Sequence, residues 1–132
     1  MRYMLDRDTC IALIRQQSPR LLEKVTSFPA EEIGLSSITV AELHYGVERS
    51  QHRDQNRAAL VQFLLPFDIA DFESTAAQAY GLVRADLEAR GLPIGALDTF
   101  IAAHALALQV TLVTHNLGEF KRVEGLRIES WY

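Results

Sequence analysis

Three carboxylates stand at positions where an ordinary soluble chain gains little from them. Asp6 closes the apolar run "RYML", Glu42 sits on a helical segment beside the stripe Val40, Leu43 and Val47, and Asp98 opens an alanine-rich helix. A carboxylate at the end of a buried strand costs desolvation unless a donor or a cation meets it. Brought together, the three would raise one another's pKa values, and a divalent cation would neutralise them. Hard oxygen donors that leave room for water and phosphate oxygens suit Mg2+ or Mn2+. Zinc is a poor fit, because none of the four histidines has a partner at ligand spacing.

Each acid also has a plainer explanation. Asp6 or Asp8 can cap a helix starting near Thr9. Thr39 and Glu42 have the spacing of a capping box. Asp98 in a first helical turn gains from the helix dipole. The neighbours argue for more than capping. Gly46, one turn after Glu42 on the same face, leaves space beside the carboxylate at a cost of about 1 kcal/mol in helix propensity. Asp98 shares its strip with Ala102 and Ala105, next to a stripe of Leu97, Ile101, His104 and Leu108. Small residues there let another element approach. A fourth polar position follows the strand "VTLVT", where Asn116 and Glu119 lie in what reads as a turn, "THNLGEF".

The elements that must position these groups alternate. "RYMLD" reads as a short buried strand, "TCIALIRQQS" as a helix up to Ser18-Pro19, "PRLLEKVTSF" as a second helix with proline in its first turn, and "EIGLS" as a strand. Then come the Glu42 helix, the helix "RDQNRAALVQFLLPF", a short strand "DIAD", and a long helix closed by Gly91. The Asp98 helix and the strands "VTLVT" and "RIESW" finish the chain. Apolar strands alternating with helices predict a three-layer α/β/α sandwich around a mostly parallel sheet. In such sheets the site lies outside the carboxyl ends of the strands, where strand order reverses. Asp6 and Asn116 should share that edge.

A length of 132 residues predicts a single domain spanning 1–132. The net charge of -4 argues against a general nucleic-acid coat held by bulk attraction. A local patch remains open: Arg49, Arg53 and Arg57 recur every four residues and would form one cationic stripe on a helix, or a solvated face if paired with acids. The lone Cys10 excludes an internal disulfide and reads as a small core residue. The charged opening "MRYMLDRDTC" is no secretory signal, and the longest apolar run is too short for a bilayer, so a cytoplasmic protein without a membrane partner is expected.

Five segments in order, "YMLDRDTC", "SSITVAELHYGVERS", "GLPIGALDTFIAAHALA", "LVTHNLGEF" and "GLRIESWY", together resemble the VapC-type toxins of bacterial toxin-antitoxin pairs, which are PIN-domain ribonucleases. The resemblance runs the length of the chain. It implies a PIN-like fold, an acidic quartet on Asp6, Glu42 and Asp98 with Asn116 or Glu119 as the fourth member, and a Mg2+ or Mn2+ cofactor. It also implies an RNA substrate such as transfer RNA, with the anticodon loop of the initiator as the particular expectation. A VapB-type antitoxin and a homodimer are the implied partners. Two departures stand out: Arg7 and Asp8 replace the usual Thr and Asn after the first acid, and Asn116 stands where aspartate is common.

Two other readings compete. A receiver-like phosphoacceptor domain would need a further aspartate ending a central strand and a lysine after a late one; Asp68, Asp71, Lys24 and Lys121 match poorly. A catalytically silent PIN domain that only binds RNA is the other, made conceivable by Arg7 and Asn116.

Overall fold

The computed structural model describes residues 1–132. Five strands form one sheet: β1 (Tyr3–Leu5), β2 (Ile33–Ser36), β3 (Asp68–Ala70), β4 (Thr111–Val113) and β5 (Ile128–Glu129). Their order is β3-β2-β1-β4-β5, and every neighbouring pair is parallel. Parallel pairs need crossovers, which the helices supply. These are α1 (Arg7–Ile14), α2 (Pro19–Thr26), α3 (Ser37–Glu48), α4 (Arg53–Leu64), α5 (Ser74–Ala89), α6 (Ala96–Leu108) and the single turn α7 (Leu117–Phe120).

Strand alternation sorts the core into two layers. Tyr3, Leu5, Leu35 and Val113 pack with Cys10, Leu21, Leu43, Val47 and Leu60 from α1 to α4. Met4 and Leu112 point the other way, onto Val83, Leu87, Ile101 and Phe120 from α5 to α7. The expected three-layer α/β/α sandwich is therefore present, with a sheet that is wholly parallel. No helix is long and apolar enough to cross a membrane. Gly34 on β2 was silent in the sequence: a Cβ there would meet the Asp68 carbonyl oxygen at 2.4 Å, so only glycine lets β3 pair this closely.

Local signals decide the element ends that matter. The first helix starts two residues earlier than expected, because Asp6 itself is the cap and accepts from the Thr9 amide at 2.9 Å. α5 stops where Gly91 takes φ +69 and the amides of Gly91 and Leu92 reach back to Glu88 and Leu87. That stop delivers the chain to Gly95 and the start of α6. The expected apolar stripe on α6 is rotated: Leu97 and Leu108 are exposed, whereas Ile101, Ala102, Ala103, His104 and Ala105 are buried. Alanines, not leucines, form the buried face here, packed with Met4 and Leu112 of the sheet and with Val83 and Leu87 of α5.

One buried polar contact ties two site-bearing helices. Ser36 caps α3 by accepting from the Ile38 amide at 3.1 Å, and its hydroxyl lies 2.8 Å from Nδ1 of His104 on α6. His104 is buried as expected, and burial lowers its pKa, which keeps the ring neutral near pH 7. Ser36→Ala removes the cap and orphans the imidazole at once. The expected loss is about 1–3 kcal/mol. It is read as a lower urea midpoint at constant slope; an unchanged midpoint would show that the contact contributes nothing.

Candidate active site

Strand order reverses between β1 and β4, and the acids gather outside the carboxyl ends of those strands. Asp6 follows β1 directly. Its backbone amide is held by the Val113 carbonyl at 3.1 Å, so the sheet itself fixes its position. Glu42 comes from the second turn of α3, and Asp98 from the first turn of α6, whose N-terminus points to the same edge. Asp6, Arg7, Asp8, Glu42, Gly95 and Asp98 line one cleft of about 350 Å3.

Burial and mutual repulsion set the electrostatics. Asp6 is nearly inaccessible, and desolvation pushes its carboxyl up, partly countered by hydrogen bonds from Thr114 and Thr9. Desolvation likewise raises Glu42, with Arg7 pulling down and Asp8 and Asp6 pushing up. Asp98 is the extreme, raised to about 7 by burial first, then by the charges of Glu119, Asp6 and Glu42 and a hydrogen bond with Glu119. The four acids thus share one field.

Glu119 enters from α7. One carboxylate oxygen accepts from the Gly95 amide at 2.9 Å, and the other from the Asn116 side chain. The fourth position is therefore a pair: Asn116 steers Glu119, and Glu119 faces Asp98. The expected turn at "THNLGEF" is a helical turn instead, with the Phe120 amide bonded to the Asn116 carbonyl at 3.2 Å and the ring buried.

Arg7 occupies the cleft wall. Its guanidinium lies 3.5 Å from Glu42 and 3.2 Å from Asp8. With Glu42 drawn to Arg7 and Glu119 to Asn116, no three acids already meet at one point as a cation cage. The donor chemistry nonetheless fits a hard cation: every acid brings oxygen, Glu42 is tied only through its exposed arginine, and Asp98, raised by burial and then by its acidic neighbours, is a carboxylate that a cation would relieve.

Three readings that the sequence left open do not hold. The capping box of Thr39 and Glu42 is absent, since α3 begins at Ser37 under the Ser36 cap; Glu42 lies beyond the helix start, and the buried Thr39 hydroxyl has no partner. Arg49, Arg53 and Arg57 share no helix face, because Arg49 ends α3 and Arg53 starts α4. Arg57 is further engaged by Glu48 and by Asp54 at 3.1 Å. The receiver-like pattern fails as well: Asp68 opens β3, at the opposite end of the strand from the site. Cys10 is buried, and desolvation pushes its thiol well above the usual range, which leaves it inert.

Sequence reasoning passed over Thr9, Thr114 and Tyr132. Thr9 and Thr114 are fully buried beside Asp6, and the Thr114 hydroxyl also accepts from the Asn116 amide at 3.0 Å. A signal existed for both, at the N3 spacing from Asp6 and at the last residue before "HN". Tyr132 places its phenol against Thr9 and its ring on His115 at 4.5 Å, which no local pattern foretells.

The PIN-domain family profile matches residues 3–126. The chain is 40% identical to Ribonuclease VapC2 of Rickettsia felis over 132 residues, covering 99% of this chain and 98% of that one. The chain belongs to the PIN-domain family, in its VapC branch. A second relative, the tRNA(fMet)-specific endonuclease VapC of Salmonella typhimurium, is 37% identical over 131 residues, 99% of this chain and 98% of the relative. The crystal structure of DNA-bound VapBC from Salmonella typhimurium superposes on this PIN domain with a TM-score of 0.96 at 36% identity, covering 100% of this chain and 99% of that one. The receiver-like alternative is thereby set aside.

The charge crowding predicts a pH dependence. Between the ordinary 3.8 and about 7, the folded PIN domain keeps a proton on Asp98 that the unfolded chain has released, so stability falls as pH rises across that window. Above it the contribution is constant. In EDTA, Asp98→Asn should raise the melting temperature by a few degrees at about pH 8 and narrow the gap between about pH 5 and about pH 8. An identical gap in both proteins would mean that Asp98 titrates normally.

Proposed function

We propose that this PIN domain is the toxin of a toxin-antitoxin pair, a divalent-cation-dependent endoribonuclease that cuts structured RNA and is neutralised by a VapB-type antitoxin. The carrying observation is Asp6, Glu42 and Asp98 lining one cleft at the strand-order switch, with Glu119 beside Asp98 through the Gly95 amide. Support for the substrate comes from the Salmonella relative, named for cleavage of tRNA(fMet), and support for the partner from the VapBC assembly. We place its action on transfer RNA, with the anticodon loop of the initiator as first choice. Splayed loop bases offer the sequence readout that a duplex hides. The cytoplasm is where such a substrate is met, and a homodimer is the expected form of the toxin.

Asp6, Asp98 and Glu42, directly or through water, would hold Mg2+ or Mn2+, with Glu119 as a further oxygen donor positioned by Asn116. When bound, such a cation activates water and offsets charge on the phosphoryl oxygens. The chain's own residues do the rest. Asp6 is immobilised by the Val113 carbonyl and the Thr9 amide, so it sets the position of the site relative to the sheet. Glu42 must leave Arg7 to serve, which leaves the guanidinium free to meet a phosphate. Water attacks phosphorus in line, the P–O bond to the 3′ oxygen breaks, and that oxygen takes a proton. The products are a 5′-phosphate and a free 3′-hydroxyl.

Two expected outcomes test this. Asp98→Ala and Asp6→Asn should each lower cleavage of initiator transfer RNA by at least about a hundredfold without unfolding the chain, and EDTA should abolish it until Mg2+ or Mn2+ is restored. A cyclic phosphate product would contradict water attack. Arg7→Ala should lower the divalent concentration needed for half-maximal cleavage several-fold, because Glu42 is then unpaired. Arg7 also favours the second reading, a silent RNA-binding PIN domain; equal inactivity of the unaltered protein and Asp98→Ala would decide for it.

A further inference from the structure

Beside the catalytic cleft, and joined to it through Arg7 and Glu42, runs a larger groove of about 530 Å3 between α1, α3 and α4. Basic side chains outnumber acidic ones along it. Arg7, Arg15 and Arg49 line it, and Glu42 is its single acid, at the end shared with the cleft. Arg7 is paired with Glu42 and Asp8, whereas Arg15 and Arg49 have no carboxylate within ion-pair distance. Two unpaired guanidiniums beside an acidic cleft, in a chain of net charge -4, call for an anion.

Tyr45 adds an aromatic face. It is 66% exposed on α3, with the Arg49 guanidinium carbon 5.8 Å from its ring centroid. Next to it, Gly46 has nothing within 4 Å of where a Cβ would stand. The glycine that costs helix propensity opens the wall of this groove, one turn from Glu42, and does not relieve a clash. An exposed aromatic ring, a cation beside it and an open backbone make a platform on which a flat ring stacks while its phosphate is neutralised.

From this geometry we infer that Tyr45, Arg49 and Arg15 form a binding subsite for single-stranded RNA flanking the cut phosphate, with Tyr45 stacking on an unpaired base and the arginines holding its phosphates. The inference rests on the nuclease reading of the adjacent cleft. It gives a negatively charged protein a route by which an anionic strand is led to its acids. It also recasts the cationic stripe: Arg49 belongs with Arg15 across the groove, not with Arg57 along a helix. Half of the lining is apolar, Ile11, Ile14, Leu43 and Leu60 among it; the arginines and the exposed ring favour RNA at their end of the groove, and a protein tail on the apolar lining is the competing outcome.

The test uses the full chain and two readouts. Steady-state cleavage of initiator transfer RNA should show KM raised about tenfold by Tyr45→Ala with kcat little changed, and restored by Tyr45→Phe, which keeps the ring. Anisotropy of a short fluorescein-labelled RNA strand, measured in EDTA, should show the same order of affinities. Arg49→Ala and Arg15→Ala should each reduce the slope of log affinity against log salt by about one. All these side chains are exposed or at the groove rim, so circular dichroism should be unaltered. Unchanged KM and unchanged affinity in Tyr45→Ala and Arg49→Ala would overturn the subsite. So would variants that bind and cut RNA normally but escape inhibition by the cognate antitoxin, since the groove would then belong to a protein tail. If the unaltered protein binds the strand with this dependence on Tyr45 yet cuts nothing, the subsite stands and the nuclease reading falls.

Discussion

Like charges crowded at the carboxyl edge of a parallel sheet are the constraint on which this molecule is built. Asp6, Glu42, Asp98 and Glu119 come from four different elements, and a folded chain gains nothing by bringing them together unaided. Burial first, and then the charges of its neighbours, raise Asp98 to about 7 and cost stability at neutral pH. The fold tolerates it because the positions are set by backbone and packing. Asp6 is held by β4, Asp98 by the entry into α6, and Glu42 by a helix capped at Ser36. Strain of this kind is what an active site holds in reserve for a cation or a phosphate.

The scaffold's rigidity follows from small residues and buried polar contacts rather than from bulk. Alanines on α6 let it lie close to α5 and the sheet, and Gly34 lets β3 pair at its close spacing. Thr9 and Thr114 are buried beside Asp6, Ser36 and His104 are buried where α3 meets α6, and Thr9, Thr114 and Ser36 each bond to a strand end, a backbone amide or the imidazole. These contacts fix directions that apolar packing alone leaves free. Arg7 is the exception among the site's neighbours. It is exposed, and its guanidinium offsets part of the charge that Glu42 brings to the cleft.

Much of this was legible in the sequence, for identifiable reasons. Alternating apolar strands and helices foretold the three layers, and acids at a strand end and a helix start foretold the shared edge. Motif order carried the family. What stayed hidden depended on contacts distant in sequence or on one-residue shifts. The α6 stripe was misjudged because helical periodicity cannot say that alanine, not leucine, faces a close neighbour. The capping-box spacing of Thr39 and Glu42 goes unused because Ser36 competes for the same helix start and lies three residues earlier. The arginine stripe failed because a four-residue break between α3 and α4 interrupts a repeat that looks continuous on paper. The role of Asn116 in steering Glu119 depends on a helical turn that reads as irregular in the sequence.

The central claim is that these acids bind one divalent cation in common, and proton release on binding tests it most directly. Mn2+ titrated calorimetrically in buffers of different ionisation enthalpy reports how many protons leave. With Asp98 raised to about 7, binding at about pH 7 should release about half a proton, and this should fade toward zero above about pH 8.5. Saturable binding with that profile is the predicted result. No binding, or binding whose heat is the same in every buffer at about pH 7, would contradict the account.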